Sequence, residues 1–192
     1  MLCPWPVPAL SQGGFQTSAS YALLMDADSR TVLFEKAADE LMAPASMVKI
    51  MTAALVFEDI TKGRLKLEDE FPISENAWRR GGAPAGGSAM FAQLNSRVKI
   101  SDLLAGLIVQ SGNDAAIALA EGIAGSEGAF SRRMTERARA LGLPKSTFAN
   151  ATGFSDPMQK VTARELARLS LHVIEAYPEL YKIFGQREFT WN

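Results

Sequence analysis

One cysteine and one histidine are all that these 192 residues hold of the two side chains that build most zinc sites. With Cys3 alone, neither an internal disulfide framework nor a cysteine metal cluster can form. A two-histidine H-E-x-x-H site is excluded, and a histidine-dependent triad is disfavoured. The single histidine lies in a helix-like run, Leu166-Ala167-Arg168-Leu169-Ser170-Leu171-His172-Val173-Ile174, with no metal-binding neighbours. A structural or surface role is therefore expected for it, and neither metal nor cofactor is implied. An excess of charge is also missing. The formal net charge of -1 gives no electrostatic reason to bind nucleic acid or an anionic membrane. No run of eighteen apolar residues occurs, so no transmembrane helix is expected. The opening stretch, Met1-Leu2-Cys3-Pro4-Trp5-Pro6-Val7-Pro8-Ala9-Leu10, is apolar but lacks a positive n-region. Residues 1–16 are read as a leader or the remnant of an export signal, and 17–192 as a partial catalytic domain.

What is present is ordinary globular composition, 47% hydrophobic and 21% charged, at a length that permits a sizeable core. Two β-prone runs, 21–25 and 31–35, flank the turn formers Asp26-Ala27-Asp28-Ser29-Arg30 and predict a hairpin. A helix is expected over 46–61, stopped by Gly63, and mixed, mostly extended chain over 65–73. Residues 81–88, Gly-Gly-Ala-Pro-Ala-Gly-Gly-Ser, read as a mobile surface loop that needs no function. From Ser101 onward the pattern is helical. Ser101 is expected to cap 102–110; further helices follow over 114–123 and 127–140. Thr162-Ala163-Arg164-Glu165 reads as a capping box for a helix to about 176. The order implies an α/β fold with a mostly helical insertion.

The chemistry-bearing residues are few. Ser46-Met47-Val48-Lys49 places a hydroxyl and an amine on one helical face, ahead of the apolar run Ile50-Met51-Thr52-Ala53-Ala54-Leu55-Val56-Phe57. A serine is a weak nucleophile unless a base takes its proton, and burial makes a lysine such a base by lowering its pKa. Free N–H groups at the helix N-terminus suit a developing oxyanion. The bland alternative is that Ser46 only caps the helix while Lys49 snorkels to water. A second S-x-x-K, Ser96-Arg97-Val98-Lys99, sits in a strand-like alternation that points the two side chains to opposite faces. Ser111-Gly112-Asn113 interrupts two apolar helices, where a short loop aims a hydroxyl and an amide into a cleft; it also reads as a plain helix–helix turn. Ser74-Glu75-Asn76 is a decoy of the same spacing.

The two motifs, Ser46 first and Ser111 after it, occur in the order of the penicillin-recognising serine enzymes. Four segments resemble the low-molecular-mass D-alanyl-D-alanine carboxypeptidases of the penicillin-binding protein 5-like group. They are 17–27, Ala43-Pro44-Ala45-Ser46-Met47-Val48-Lys49-Ile50-Met51-Thr52, Leu107-Ile108-Val109-Gln110-Ser111-Gly112-Asn113-Asp114-Ala115-Ala116, and Phe189-Thr190-Trp191-Asn192. The resemblance implies a β-lactamase/transpeptidase-like αβα sandwich and a place in the periplasm or cell envelope. Its substrate is the peptidoglycan stem peptide, and β-lactam antibiotics are its acylating inhibitors. By the same resemblance Ser46 attacks the D-Ala-D-Ala carbonyl, Lys49 accepts its proton, Ser111 relays protons and Asn113 positions substrate.

The family's third motif, Lys-Thr-Gly, has no counterpart here. Thr61-Lys62-Gly63 has the wrong order, and Lys145-Ser146-Thr147 lacks the glycine. The resemblance therefore implies a sheet incomplete toward the C-terminus and no membrane anchor, in what reads as the N-terminal portion of a longer protein. The 192 residues alone are expected to acylate weakly or not at all. A class A β-lactamase is disfavoured, because the second motif carries Gly112 and no E-x-x-L-N follows. A D,D-endopeptidase of the same family and a non-catalytic peptidoglycan- or β-lactam-binding fragment remain as alternatives.

Overall fold

The computed structural model describes residues 15–191. The expected leader over 1–16 lies mostly outside the described residues, as does Asn192. The hairpin forms as the turn chemistry requires: β1 (Ala22–Met25) pairs antiparallel with β2 (Val32–Lys36), Ala22 facing Lys36 and Leu24 facing Phe34. Asp26 closes the turn by accepting from the Ser29 backbone N–H at 2.8 Å. A second short ribbon pairs β3 (Glu70–Pro72) with β4 (Arg97–Lys99). Lys99 ends β4 and Ser96 stands just ahead of it, so this S-x-x-K lies on extended chain and not on a helix, as the alternation predicts.

At the centre stands α1 (Lys49–Thr61), with ten of its thirteen residues buried. Its apolar run leaves no polar face, and a helix apolar all round can be stable only inside other elements. Around it pack α2 (Ile100–Val109), α3 (Asn113–Ala124), α4 (Glu127–Ala140) and α5 (Ala163–Ala176). The chain then closes with the short α6 (Pro178–Tyr181) and a 3-10 turn, Lys182–Gly185. Phe57, Leu103, Leu104, Leu107, Ile117, Phe130 and Met134 are sealed from solvent, each contributing about 1.5–3 kcal/mol of burial.

Three local expectations are corrected. Residues 46–61 do not begin as one α-helix, because Ala45–Val48 forms a 3-10 turn that feeds α1. Ser101 is not a cap; α2 starts one residue earlier, after the extended Lys99, with no side-chain cap. The glycine-rich stretch is exposed over 83–88, as a surface loop should be, but it is not all irregular chain. Ala77–Gly81 forms a π turn and Ala83–Ala85 a 3-10 turn, and Gly81 lies buried against the first turn of α3. A Cβ on Gly81 would sit 2.4 Å from the Asp114 backbone nitrogen, so only glycine allows that approach. The capping box at α5 is half formed. Thr162 accepts from the Glu165 N–H at 3.1 Å, but the Glu165 carboxylate turns to Ser146 and the Lys145 N–H instead.

The candidate active site

Pro44 and Ala45 deliver Ser46 on the 3-10 turn, where its side chain is exposed. Ala45 holds φ +47, a left-handed conformation unusual for a residue with a Cβ, and strain of this kind collects at functional positions. Gly153, at φ +94, packs directly on it, so closely that a Cβ there would meet the Ala45 carbonyl oxygen at 2.2 Å. One turn further on Lys49 is only 6% exposed, so it does not snorkel to water. Burial pushes its ammonium down to about 8 from the ordinary lysine value near 10.5.

Three groups surround the Lys49 Nζ: the Asn113 Oδ1 at 2.8 Å, the Thr152 carbonyl oxygen at 2.6 Å and the Ser46 Oγ at 3.4 Å. The first two only accept. A neutral amine has two N–H groups to give them and one lone pair left, and of these three groups only the Ser46 hydroxyl can donate a proton to it. The arrangement suits a base, and the distance to Ser46 is of the loose kind expected without substrate.

Asn113 opens α3, and its first turn is held rigidly. The fully buried Asp114 accepts from the N–H groups of Met90 at 2.9 Å, Ala92 at 3.1 Å and Ala115 at 3.0 Å, while the Asn113 N–H donates to the Ser88 carbonyl at 2.9 Å. The Asn113 side-chain amide lies 3.3 Å from where a Cβ on Gly87 would stand. Ser111, also left-handed at φ +55, lines a cleft of about 110 Å³ with Ser46, Lys49, Ile50, Leu107, Ile108 and Phe184. The structure thus gathers Ser46, Lys49 and Ser111 at one cleft and joins Asn113 to them through the lysine. The decoys separate: Ser74 and Asn76 both donate to Glu121, a structural use.

Sequence reasoning missed Thr152. Its contribution is a backbone carbonyl, to which any side chain at position 152 is blind. The nearest readable signal is Asn150-Ala151-Thr152-Gly153, a cluster of turn formers. A roomier cavity, about 470 Å³, lies elsewhere, between the hairpin and α5, and holds His172 beside Arg164 and Arg168. Burial, then Arg137, pushes His172 below its ordinary range despite Glu58 and Glu175, and its ring meets Tyr177 edge-on at 5.6 Å. With no nucleophile beside it, that cavity is a poor place for acyl chemistry.

The sequence pattern of one family, described as D-alanyl-D-alanine carboxypeptidase, matches residues 8–192. The chain belongs to that family. It is 42% identical to the D-alanyl-D-alanine carboxypeptidase DacC of Escherichia coli over 171 residues, which are 88% of this chain and 43% of that protein. Among solved structures it is similar to penicillin binding protein 5 from Haemophilus influenzae, with TM-score 0.87, 37% identity, and coverage of 92% of this chain and 51% of the other. It is also similar to Penicillin-Binding Protein D2 from Listeria monocytogenes in its cefotaxime-bound form, with TM-score 0.81 and 26% identity, covering 94% of this chain and 72% of that one. These likenesses bear out the expected transpeptidase-type α/β fold. The chain spans less than half the length of the curated carboxypeptidases it matches. No helix among the described residues is long and apolar enough to cross a membrane.

Proposed function

We propose that residues 17–192 are part of the catalytic domain of a serine D-Ala-D-Ala carboxypeptidase acting on peptidoglycan stem peptides in the bacterial envelope. The observation that carries the reading is the surround of Lys49: two acceptors, one hydroxyl and a pKa depressed to about 8. Neutral Lys49 takes the proton of Ser46 as the Oγ attacks the carbonyl of the penultimate D-alanine, giving a tetrahedral oxyanion. The Ser46 backbone N–H, at the start of its 3-10 turn, is read as one donor to that charge, the Met47 N–H being bonded to the Pro44 carbonyl. The C–N bond then breaks, the leaving D-alanine nitrogen gains a proton passed from Lys49 through Ser111, and an ester on Ser46 remains. Water, deprotonated by the same route in reverse, hydrolyses the ester and frees Ser46. Asn113 holds Lys49 by its oxygen and offers its amide to the substrate. β-lactams are read as acylating Ser46 in the same way, in keeping with the cefotaxime-bound relative.

Intact mass after incubation with penicillin tests this in protein whose reading frame supplies a Lys-Thr-Gly strand. One antibiotic is expected to add covalently and to be lost in Ser46→Ala; an unmodified mass at saturating penicillin sinks the proposal. The 192-residue chain alone is expected to acylate weakly. D-alanine release from a pentapeptide, rather than cleavage of a cross-linked dimer, separates the carboxypeptidase from the endopeptidase alternative.

A further inference from the structure

The loop over 150–154 contains no helix or strand, yet it supplies a carbonyl to Lys49. Backbone polar groups buried in such a loop must find side-chain partners. Asn150 Oδ1 accepts from the Thr152 hydroxyl at 3.0 Å and the Gly153 N–H at 2.8 Å, and Asn150 Nδ2 donates to the Phe154 carbonyl at 3.0 Å. Gln159 Oε1 accepts from the N–H groups of Ala149 and Asn150, both at 3.2 Å, and its Nε2 donates to the Phe154 carbonyl at 3.1 Å. This knot is tied to α1 at one side-chain contact besides the lysine. Thr52 Oγ1 donates to the Ala151 carbonyl at 2.9 Å, and Thr52 stands one helical turn after Lys49 on the same face. Threonine in a helix commonly turns its hydroxyl back onto the preceding turn; here it reaches outward to the loop.

We propose that Thr52 and the Asn150–Gln159 pair are positioning residues for Lys49, clamping the loop so that the Thr152 carbonyl holds one of the lysine's N–H groups and leaves the lone pair for Ser46. The proposal rests on Lys49 being the base. Thr52, Asn150, Thr152 and Gln159 are all buried, and fully bonded polar networks of this kind fix a single geometry. The charged groups of the surrounding elements are engaged elsewhere: Asp114 with three backbone amides, Glu127 with Arg80 and the Ala151 N–H. A carbonyl accepts more strongly from an ammonium than from a neutral amine, so this contact favours charged Lys49 and opposes burial. Slackening the clamp therefore lowers the lysine's midpoint further and lets the amine turn away from Ser46.

In protein whose reading frame supplies a Lys-Thr-Gly strand, the test follows Lys49 by NMR titration of lysine-labelled protein, assigned with Lys49→Arg, alongside the rate of penicillin acylation. In Thr52→Val the midpoint is expected to fall by about half a pH unit and acylation to slow about 10-fold. Thr52→Ser keeps both values near those of the unaltered protein. Gln159→Met, which cuts the knot at its far side, moves both in the same direction as Thr52→Val. Lowered thermal stability in the Val and Met variants with an unmoved midpoint and acylation rate would overturn the clamp, leaving only packing. A midpoint that moves in Thr52→Val, in protein that never acylates, would support the clamp and reject the carboxypeptidase reading.

Discussion

Lys49 shows what burying a titratable side chain does to stability. In the unfolded chain its amine titrates near 10.5, and in the fold near 8. Below pH 8 the fold therefore carries the cost of burying a charge, about 3 kcal/mol for a shift of this size. That cost is relieved as pH rises from about 8 to 10.5, because only the unfolded chain then still binds the proton. Lys49→Met is accordingly expected to raise the thermal midpoint at pH 6, less whatever its lost hydrogen bonds contributed, with the advantage fading by pH 10.5. Under the proposed mechanism the same titration governs chemistry in the opposite sense. The acylation rate should climb about tenfold per pH unit on approach to pH 8 and level off above it, measured by penicillin uptake in stopped-flow. A rate flat from pH 6 to 9 would exclude Lys49 as the base. Gly153→Ala tests the neighbouring contact. Its Cβ would overlap the Ala45 carbonyl while forcing alanine to φ +94, so a loss of about 2–4 kcal/mol is expected in urea unfolding.

At the scale of elements, the pairing of α1 with α4 is electrostatic as well as apolar. Asp59, with its side chain 3% exposed near the end of α1, accepts from Arg133 of α4 at 2.8 Å and from the Arg64 Nε at 2.8 Å, and Arg137 reaches Glu58 at 2.9 Å. Burial alone would raise the Asp59 pKa, but Arg133 and Arg64 outweigh it and hold the carboxyl below its ordinary value. A carboxylate held low stabilises the fold above its unfolded pKa, near 3.8, and loses that contribution as pH falls further. Arg133→Met should destabilise by about 1–3 kcal/mol at pH 7 and by less at pH 3, as read from thermal midpoints. Elements of this kind were legible from the start. The 3.6-residue pattern of Glu127–Ala140 and the cap at Thr162 gave α4 and α5 nearly to the residue, because each buries one stripe. The turns between 77 and 85 were not legible. Their glycines and proline signal freedom in an isolated chain, whereas here Gly81 is chosen for the space beside Asp114, a fact of tertiary packing. For the site, Ser46, Lys49, Ser111 and Asn113 announce themselves as side chains with spacing; the Thr152 carbonyl has no side-chain signature at all.

At the scale of the whole molecule, one apolar cluster among the described residues runs from Met51 on α1 through α2, α3 and α4 to Val173 on α5. A single core of this kind unfolds as a unit. Urea transitions followed by tryptophan fluorescence and by far-ultraviolet circular dichroism should therefore coincide, and a separate early transition of the hairpin would show that β1 and β2 stand apart from the core. Within this frame the candidate catalytic groups come from distant stretches of sequence: the Ser46 turn, the Ser111–Asn113 corner and the loop at Thr152. Consecutive residues of that loop touch both partners of the nucleophile pair, Thr152 through its bond to Lys49 and Gly153 through its seat on Ala45. One short loop is thus the common seat of the serine's turn and of the lysine's amine, and a single substitution in it bears on both at once.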